Sequence, residues 1–331
     1  MRLVALISLC LALSCLLCPG VLHASEATLE AKALLAEGRR DRAKVLLLEE
    51  AKRDPRDAEV CFLLAKVYTA EQDFDLAAEY AEKSIKLADS VSLYHLNLAR
   101  ILLGKTTQSG ALGAFMSARK GKKQYERAIE LDPNNLDARF ELCMYYLVAP
   151  GLIGGDKKKA NEQAAALAAR NDLYGSYAWA SIYERDQDLA RAESLYQRAV
   201  GLDTSSTAAA LYGLAYFYER NKKYDDAIGV FKQISDNRPE DLAAVFQLGR
   251  AYLVAGTNLE GAEAAFTRYL AEGPAPNGPD EAAARWRLGM VYDLEGRRDE
   301  SLAQLRKAVE LAPKSKQYKS TLEEVEKKPK P

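Results

Sequence analysis

The chain has 331 residues, 48% of them hydrophobic and 28% charged, with a formal net charge of -1. That balance excludes a general nucleic-acid binder, which carries a basic excess, and the length exceeds the usual single core unless the core grows lengthwise by repetition. Glycines and prolines fall mostly between helical patterns and no β-type alternation persists, so the expected fold class is all-α.

The first element in chain order is a targeting segment. Arg2 precedes an uncharged apolar run over residues 3–17, Pro19-Gly20 breaks it, and His23-Ala24-Ser25-Glu26-Ala27 offers small residues for cleavage after Ala24 or Ala27. Residues 1–24 therefore read as a signal peptide, and the protein as exported, with a periplasmic location. A membrane-spanning helix needs about 20 apolar residues, more than this run supplies. The alternative is lipid anchoring at the envelope through Cys15 or Cys18, although neither Ala12-Leu13-Ser14 nor Cys15-Leu16-Leu17 makes a good lipobox. Cys61 and Cys143 remain, on helices two repeats apart. At the ~10 Å packing distance between helices they are too far apart for a disulfide, and they are expected as buried free thiols.

After residue 25 the pattern repeats. One helix (A) carries a small residue and a large one three positions later, as in Ala65/Tyr68, Ala180/Tyr183, Ala215/Tyr218, Gly249/Tyr252 and Gly289/Tyr292. The next (B) carries an alanine and a large residue four later, as in Ala192/Tyr196, Ala227/Phe231 and Ala262/Phe266. Small residues there let the two helices approach, and the large ones fill the space beside them. Tyr218 to Tyr252 spans 34 residues. With Ala128-Ile129-Glu130-Leu131-Asp132-Pro133 and Ala308-Val309-Glu310-Leu311-Ala312-Pro313 closing units, the chain resembles the tetratricopeptide repeat (TPR) family, whose unit is a helix–turn–helix of 34 residues. The resemblance implies a right-handed α-solenoid of about eight units over residues 25–313, then a capping helix and charged tail over 314–331. A polar last helix keeps an open-ended array soluble.

Three stretches interrupt the frame, near residues 104–117, 150–155 and 275–280. In the first, Leu112, Phe115 and Met116 are followed by Arg119, Lys120, Lys122 and Lys123. They read either as an extended helix B packed on its neighbours or as an amphipathic contact with a membrane surface or partner, which four basic residues do not favour. In the second, Pro150-Gly151-Leu152-Ile153-Gly154-Gly155 enforces a turn. Lys157 to Lys159 then open a helix, where cations are disfavoured, which points to an anionic neighbour such as Asp156. The turn resembles one in a subgroup of exported bacterial TPR proteins. It is not a phosphate-binding loop, because no Ser or Thr follows Lys157 and a helix precedes it.

The residues do not assemble a catalytic site. Past residue 24 the only histidine is His95, with no nucleophile motif beside it, so two-histidine metal patterns are impossible. No enzymatic activity and no cofactor are expected. The resemblance implies instead that helix A residues line a concave partner-binding groove, formed here by Phe62, Lys66, Arg100, Phe140 and Tyr177, then by Tyr212, Tyr216, Phe246, Arg250 and Trp286. Leu96, Met144 and others fall on the same face. Aromatics supply contact area and cations fix orientation. The family's carboxylate clamp is not carried over, because Lys66 and Arg100 lack the accompanying asparagines. The expected function is a non-enzymatic scaffold or assembly factor of the bacterial envelope, binding a protein or peptide partner and no nucleic acid. A carrier or sensor of a small ligand or glycan is the alternative.

Overall fold

The computed structural model describes residues 25–204, 208–275 and 278–328. The expected signal peptide, part of the linker near 275–280 and the last three tail residues lie outside the described residues. Every regular element among the described residues is a helix, and successive helices pack as pairs into an α-solenoid.

The chain divides into two units at Asp89. In the first, α1 (Glu26–Ala36) pairs with α2 (Arg40–Arg53), and α3 (Ala58–Ala70) with α4 (Phe74–Leu87). Its core is Leu47, Leu64, Ala65 and Ala77, all fully buried. Cys61 is a buried free thiol, as expected.

The second unit holds six pairs and a cap. The pairs are α5 (Ser92–Lys105) with α6 (Ala111–Leu131), α7 (Leu136–Val148) with α8 (Lys157–Ala168), and α9 (Asp172–Arg185) with α10 (Leu189–Leu202). They continue as α11 (Ala209–Arg220) with α12 (Tyr224–Asn237), α13 (Leu242–Ala255) with α14 (Leu259–Glu272), and α15 (Glu281–Leu294) with α16 (Arg298–Leu311). The cap is α17 (Lys316–Lys327).

The small positions act as read from the sequence. Ala180, Ala215, Ala192, Ala227 and Ala262 are fully buried. A Cβ on Gly249 would stand 2.9 Å from that of Ala265, and one on Gly289 2.7 Å from Cγ of Leu305, so these glycines admit a close helix crossing. Regular units also share a helix stop. Gln72, Gln187, Lys222, Gly256 and Gly296 all have positive φ. The next amide in each case donates back to a tyrosine carbonyl, as from Asp188 to Tyr183 at 2.9 Å and from Lys223 to Tyr218 at 2.9 Å. This left-handed cap satisfies carbonyls that the helix leaves open. The tyrosine of helix A thus packs its ring in or against the core and ends the helix with its backbone.

The first two interruptions depart from this stop. The extra material expected between the helices at 104–117 is mostly helix. Helix α6 runs 21 residues, with two additional turns at its start. Buried Gly121 lets it lie against α5, where a Cβ would be 3.3 Å from the Ala99 carbonyl. After α7, Gly151–Ile153 form one 3-10 turn and Gly154 takes φ 101°. A Cβ on Gly155 would fall 1.7 Å from the Ala149 carbonyl, so only glycine fits there. Asp156 then caps α8, its carboxylate accepting from the amides of Lys158 (2.9 Å) and Lys159 (3.2 Å). It is the anion that the lysine run implied.

Candidate partner-binding groove

The first helices of three consecutive pairs, α7, α9 and α11, line an open groove of about 840 Å³. Helical spacing supplies its wall: Phe140 and Met144 from α7, Tyr177, Ser181 and Glu184 from α9, and Tyr216 and Arg220 from α11. Tyr196 of α10 forms part of the floor. Aromatic edges join these residues, with Phe140 to Tyr177 at 6.4 Å and Tyr177 to Tyr196 at 6.1 Å between ring centroids. Gly213 makes room for this contact, since a Cβ there would lie 2.7 Å from the Tyr177 ring.

An ionic cluster closes one side of the floor. Arg220 grips Glu184 with both arms, at 2.9 and 2.8 Å, while Asn221 (3.1 Å) and the Tyr196 hydroxyl (3.1 Å) also donate to it. Glu184 is therefore saturated. Burial is the main reason that the Tyr196 phenol is pushed up to about 12. Burial also raises the Tyr177 phenol, whose hydroxyl is enclosed and has no hydrogen-bond partner. Arg185 stands exposed on the groove and makes no ion pair among the described residues.

Of the residues expected to line the open face, Phe140, Tyr177 and Tyr216 meet here. Tyr212, half-buried, stacks on Tyr216 (6.2 Å) and donates to Asp241 at 3.0 Å. Arg250 lies over Tyr216 but is held by Glu219 and by Gln247 at 2.6 Å. Arg100 is exposed and bound to Glu141 at 2.8 Å. Three residues correct the expectation of an open aromatic face, because each is buried. Phe246 packs on Phe266 and Tyr269. Trp286 stacks on Tyr318 of the cap (5.2 Å) and donates to Thr321 at 3.0 Å. Phe62, in the first unit, is buried below the ammonium of Lys66, which is exposed. Aromatics on helix A were consumed by packing wherever a following helix could cover them. Arg220 falls on the face expected to be open, beside Tyr212 and Tyr216, whereas nothing in the sequence singles out Glu184 or Arg185.

The family model described as tetratricopeptide repeat matches residues 28–92, 177–241, 223–275 and 246–316, more than half of the chain. The chain belongs to the tetratricopeptide repeat family. No curated protein matches it. A crystal structure of a TPR protein from Parabacteroides merdae is similar, with 13% identity over 91% of this chain and 98% of that one and a TM-score of 0.50, which bears on the fold alone. A thermophilic TPR protein from Thermus thermophilus shares 18% identity over 58% of this chain and 96% of that one, at a TM-score of 0.48. Residues 93–176, which hold the first two interruptions, lie outside every matched TPR range.

TPR folds are typical of protein-interaction scaffolds and generally non-enzymatic. His95 is buried, its Nδ1 2.7 Å from the Gln124 side-chain oxygen. Cys143 is a buried free thiol that donates to the Ala160 carbonyl at 3.2 Å, and burial pushes it up to about 12. No cluster of three His, Cys, Asp or Glu able to hold a metal occurs among the described residues, and no helix there is long and apolar enough to cross a membrane.

Proposed function

We propose that this TPR protein is a non-enzymatic scaffold or assembly factor of the bacterial envelope, holding a segment of a protein partner in the groove of α7, α9 and α11. The observation that supports it is the groove itself. Three aromatic rings form a rigid wall, Glu184 is neutralised from within, and Arg185 is left to meet an acidic group on the partner. Large aromatics and arginine are the residues that dominate binding energy at interfaces. The envelope location rests on the apolar run at residues 3–17 and the small residues after it.

A peptide selected from a displayed library against the full chain tests the groove. Tyr216→Ala is expected to weaken that peptide by roughly 30-fold, about 2 kcal/mol, with helicity unchanged. Arg185→Glu should weaken acidic peptides and spare neutral ones. Binding that survives Tyr216→Ala combined with Tyr177→Ala would remove the groove assignment. Intact mass after expression with export machinery tests the location, and the expected mature chain starts at Ser25 or Thr28.

A further inference from the structure

The two interruptions of the repeat frame meet in space. Ala111, Ala114 and Phe115, from the added turns of α6, face Pro150, Leu152 and Ile153 across a second cavity of about 720 Å³, floored by Met144 and Tyr145 of α7. That volume lies within the range of small-ligand sites, roughly 300–1,000 Å³, which are mostly apolar with a few placed polar groups. Here the polar groups of the wall are already bound to one another. Tyr125 and Arg100 both donate to Glu141 at 2.8 Å, Tyr145 donates to the Ile153 carbonyl at 2.6 Å, and Thr106 to that of Leu103 at 2.6 Å. A peptide would bring backbone amides and carbonyls that find no free partner in these walls, and each would lose its water at a cost. An aliphatic chain brings none.

The rim adds two features. Leu112 is 74% and Leu152 85% exposed, so the apolar surface continues outward from the cavity. Beside it Arg119 holds its guanidinium 5.5 Å from the centre of the Phe115 ring and pairs with no carboxylate among the described residues. It also acts on Tyr145: burial pushes that phenol up, and the Arg119 charge pulls against the shift. Residues 104–125 contain four lysines and this arginine and no Asp or Glu. An open, mostly apolar pocket with an unpaired cation beside it is complementary to one kind of molecule.

We propose that this cavity binds a single-chain anionic amphiphile of the fatty-acid class, with the acyl tail between α6 and the Pro150 turn and the carboxylate on Arg119. The site borders the groove of α7, α9 and α11, sharing Met144 and Val148 with it, but its other walls are its own and it does not depend on that reading. A bilayer surface would cover Leu112 and Leu152 but leave the cavity empty, so a free amphiphile is the better fit.

The test is calorimetric titration of the full chain, below micellar concentrations, with tetradecanoate and with tetradecyltrimethylammonium, which has a tail of the same length and the opposite charge. Saturable one-to-one binding is expected, with tetradecanoate at least tenfold tighter. Arg119→Gln should abolish that preference while the cationic amphiphile binds as before. Ala111→Trp, at an exposed position on the rim, should obstruct the cavity and lower tetradecanoate affinity at least tenfold with the circular dichroism of the folded chain retained. Equal affinity for the two amphiphiles overturns the proposal, as does binding unchanged by Ala111→Trp, which would place the ligand elsewhere. Binding only to phosphatidylglycerol vesicles, and not to monomeric tetradecanoate, also overturns it and makes the patch a membrane contact.

Discussion

The stretch from α9 to α16 and the stretch from α5 to α8 are made of the same helix pairs, but they end their first helices by different means. In the former, a left-handed residue and a back-bond to a tyrosine carbonyl close each first helix described above, and the second helix follows at once. In the latter, α5 gives way to two added turns of α6, and α7 is closed by Pro150, a 3-10 turn and Gly155. The regular stretch is covered by matches to the TPR family and residues 93–176 are not. Regular stops bring successive helices into direct contact. The altered stops set the added turns of α6 opposite the Pro150 turn, with an open pocket between them.

Four substitutions would break or sharpen this contrast, in descending order of effect. Gly155→Ala places a Cβ on the Ala149 carbonyl and should cost about 3 kcal/mol, the upper end for forced overpacking. Hydrogen exchange should show the loss concentrated in α7 and α8. Equal loss in α13 to α16 would mean that the middle of the array is not a separate weak point. Gly289→Ala tests the regular stretch. Its Cβ meets Cγ of the fully buried Leu305, and the expected cost of about 1.5 kcal/mol in urea unfolding should largely vanish in the Gly289→Ala, Leu305→Ala double variant relative to Leu305→Ala alone.

Tyr177→Phe removes a buried hydroxyl that has no partner and should stabilise the protein by about 1 kcal/mol. It also bears on pH. The Tyr177 and Tyr196 phenols titrate above their unfolded value of about 10, so their contribution is complete below pH 10 and is lost as pH rises toward 12, where the unfolded chain sheds protons that the native state keeps. Tyr177→Phe should flatten that alkaline decline. An unchanged slope between pH 10 and 12 would show that the hydroxyl reaches water. The smallest effect is expected from Lys222→Gly, which relieves a positive φ of 59° and should add about 0.5 kcal/mol, since left-handed relief is partly offset by the entropy of glycine. A matching gain is expected for Gln187→Gly and none for Lys158→Gly on α8.

Much of the fold was legible in the residues because the spacing that defines a repeat is local. Ala180 with Tyr183 and Ala192 with Tyr196 announce a close helix crossing without reference to anything distant, and Asp156 could be named as the anion at the start of α8. The groove was legible only in part. Phe140, Tyr177 and Tyr216 stood on the expected face, but Phe246 and Trp286, with the same spacing, are buried by α14 and by the cap. Charge was harder still. Glu184, Arg220 and Asn221 lie at the ends of helices 36 or 37 residues apart in sequence, and nothing in either segment says that they form one cluster.

By itself, then, the sequence determined the all-helical repeat, its small and large packing positions, and the places where the frame is interrupted, because those depend on period and on residues such as Pro150 and Gly155 that permit few backbone shapes. Only the tertiary structure decided which aromatics remain open, which cations are already paired, and that the two interruptions face each other across one cavity. Those are properties of surfaces from different helices brought within a few ångströms, and no local pattern encodes what a side chain will find opposite it.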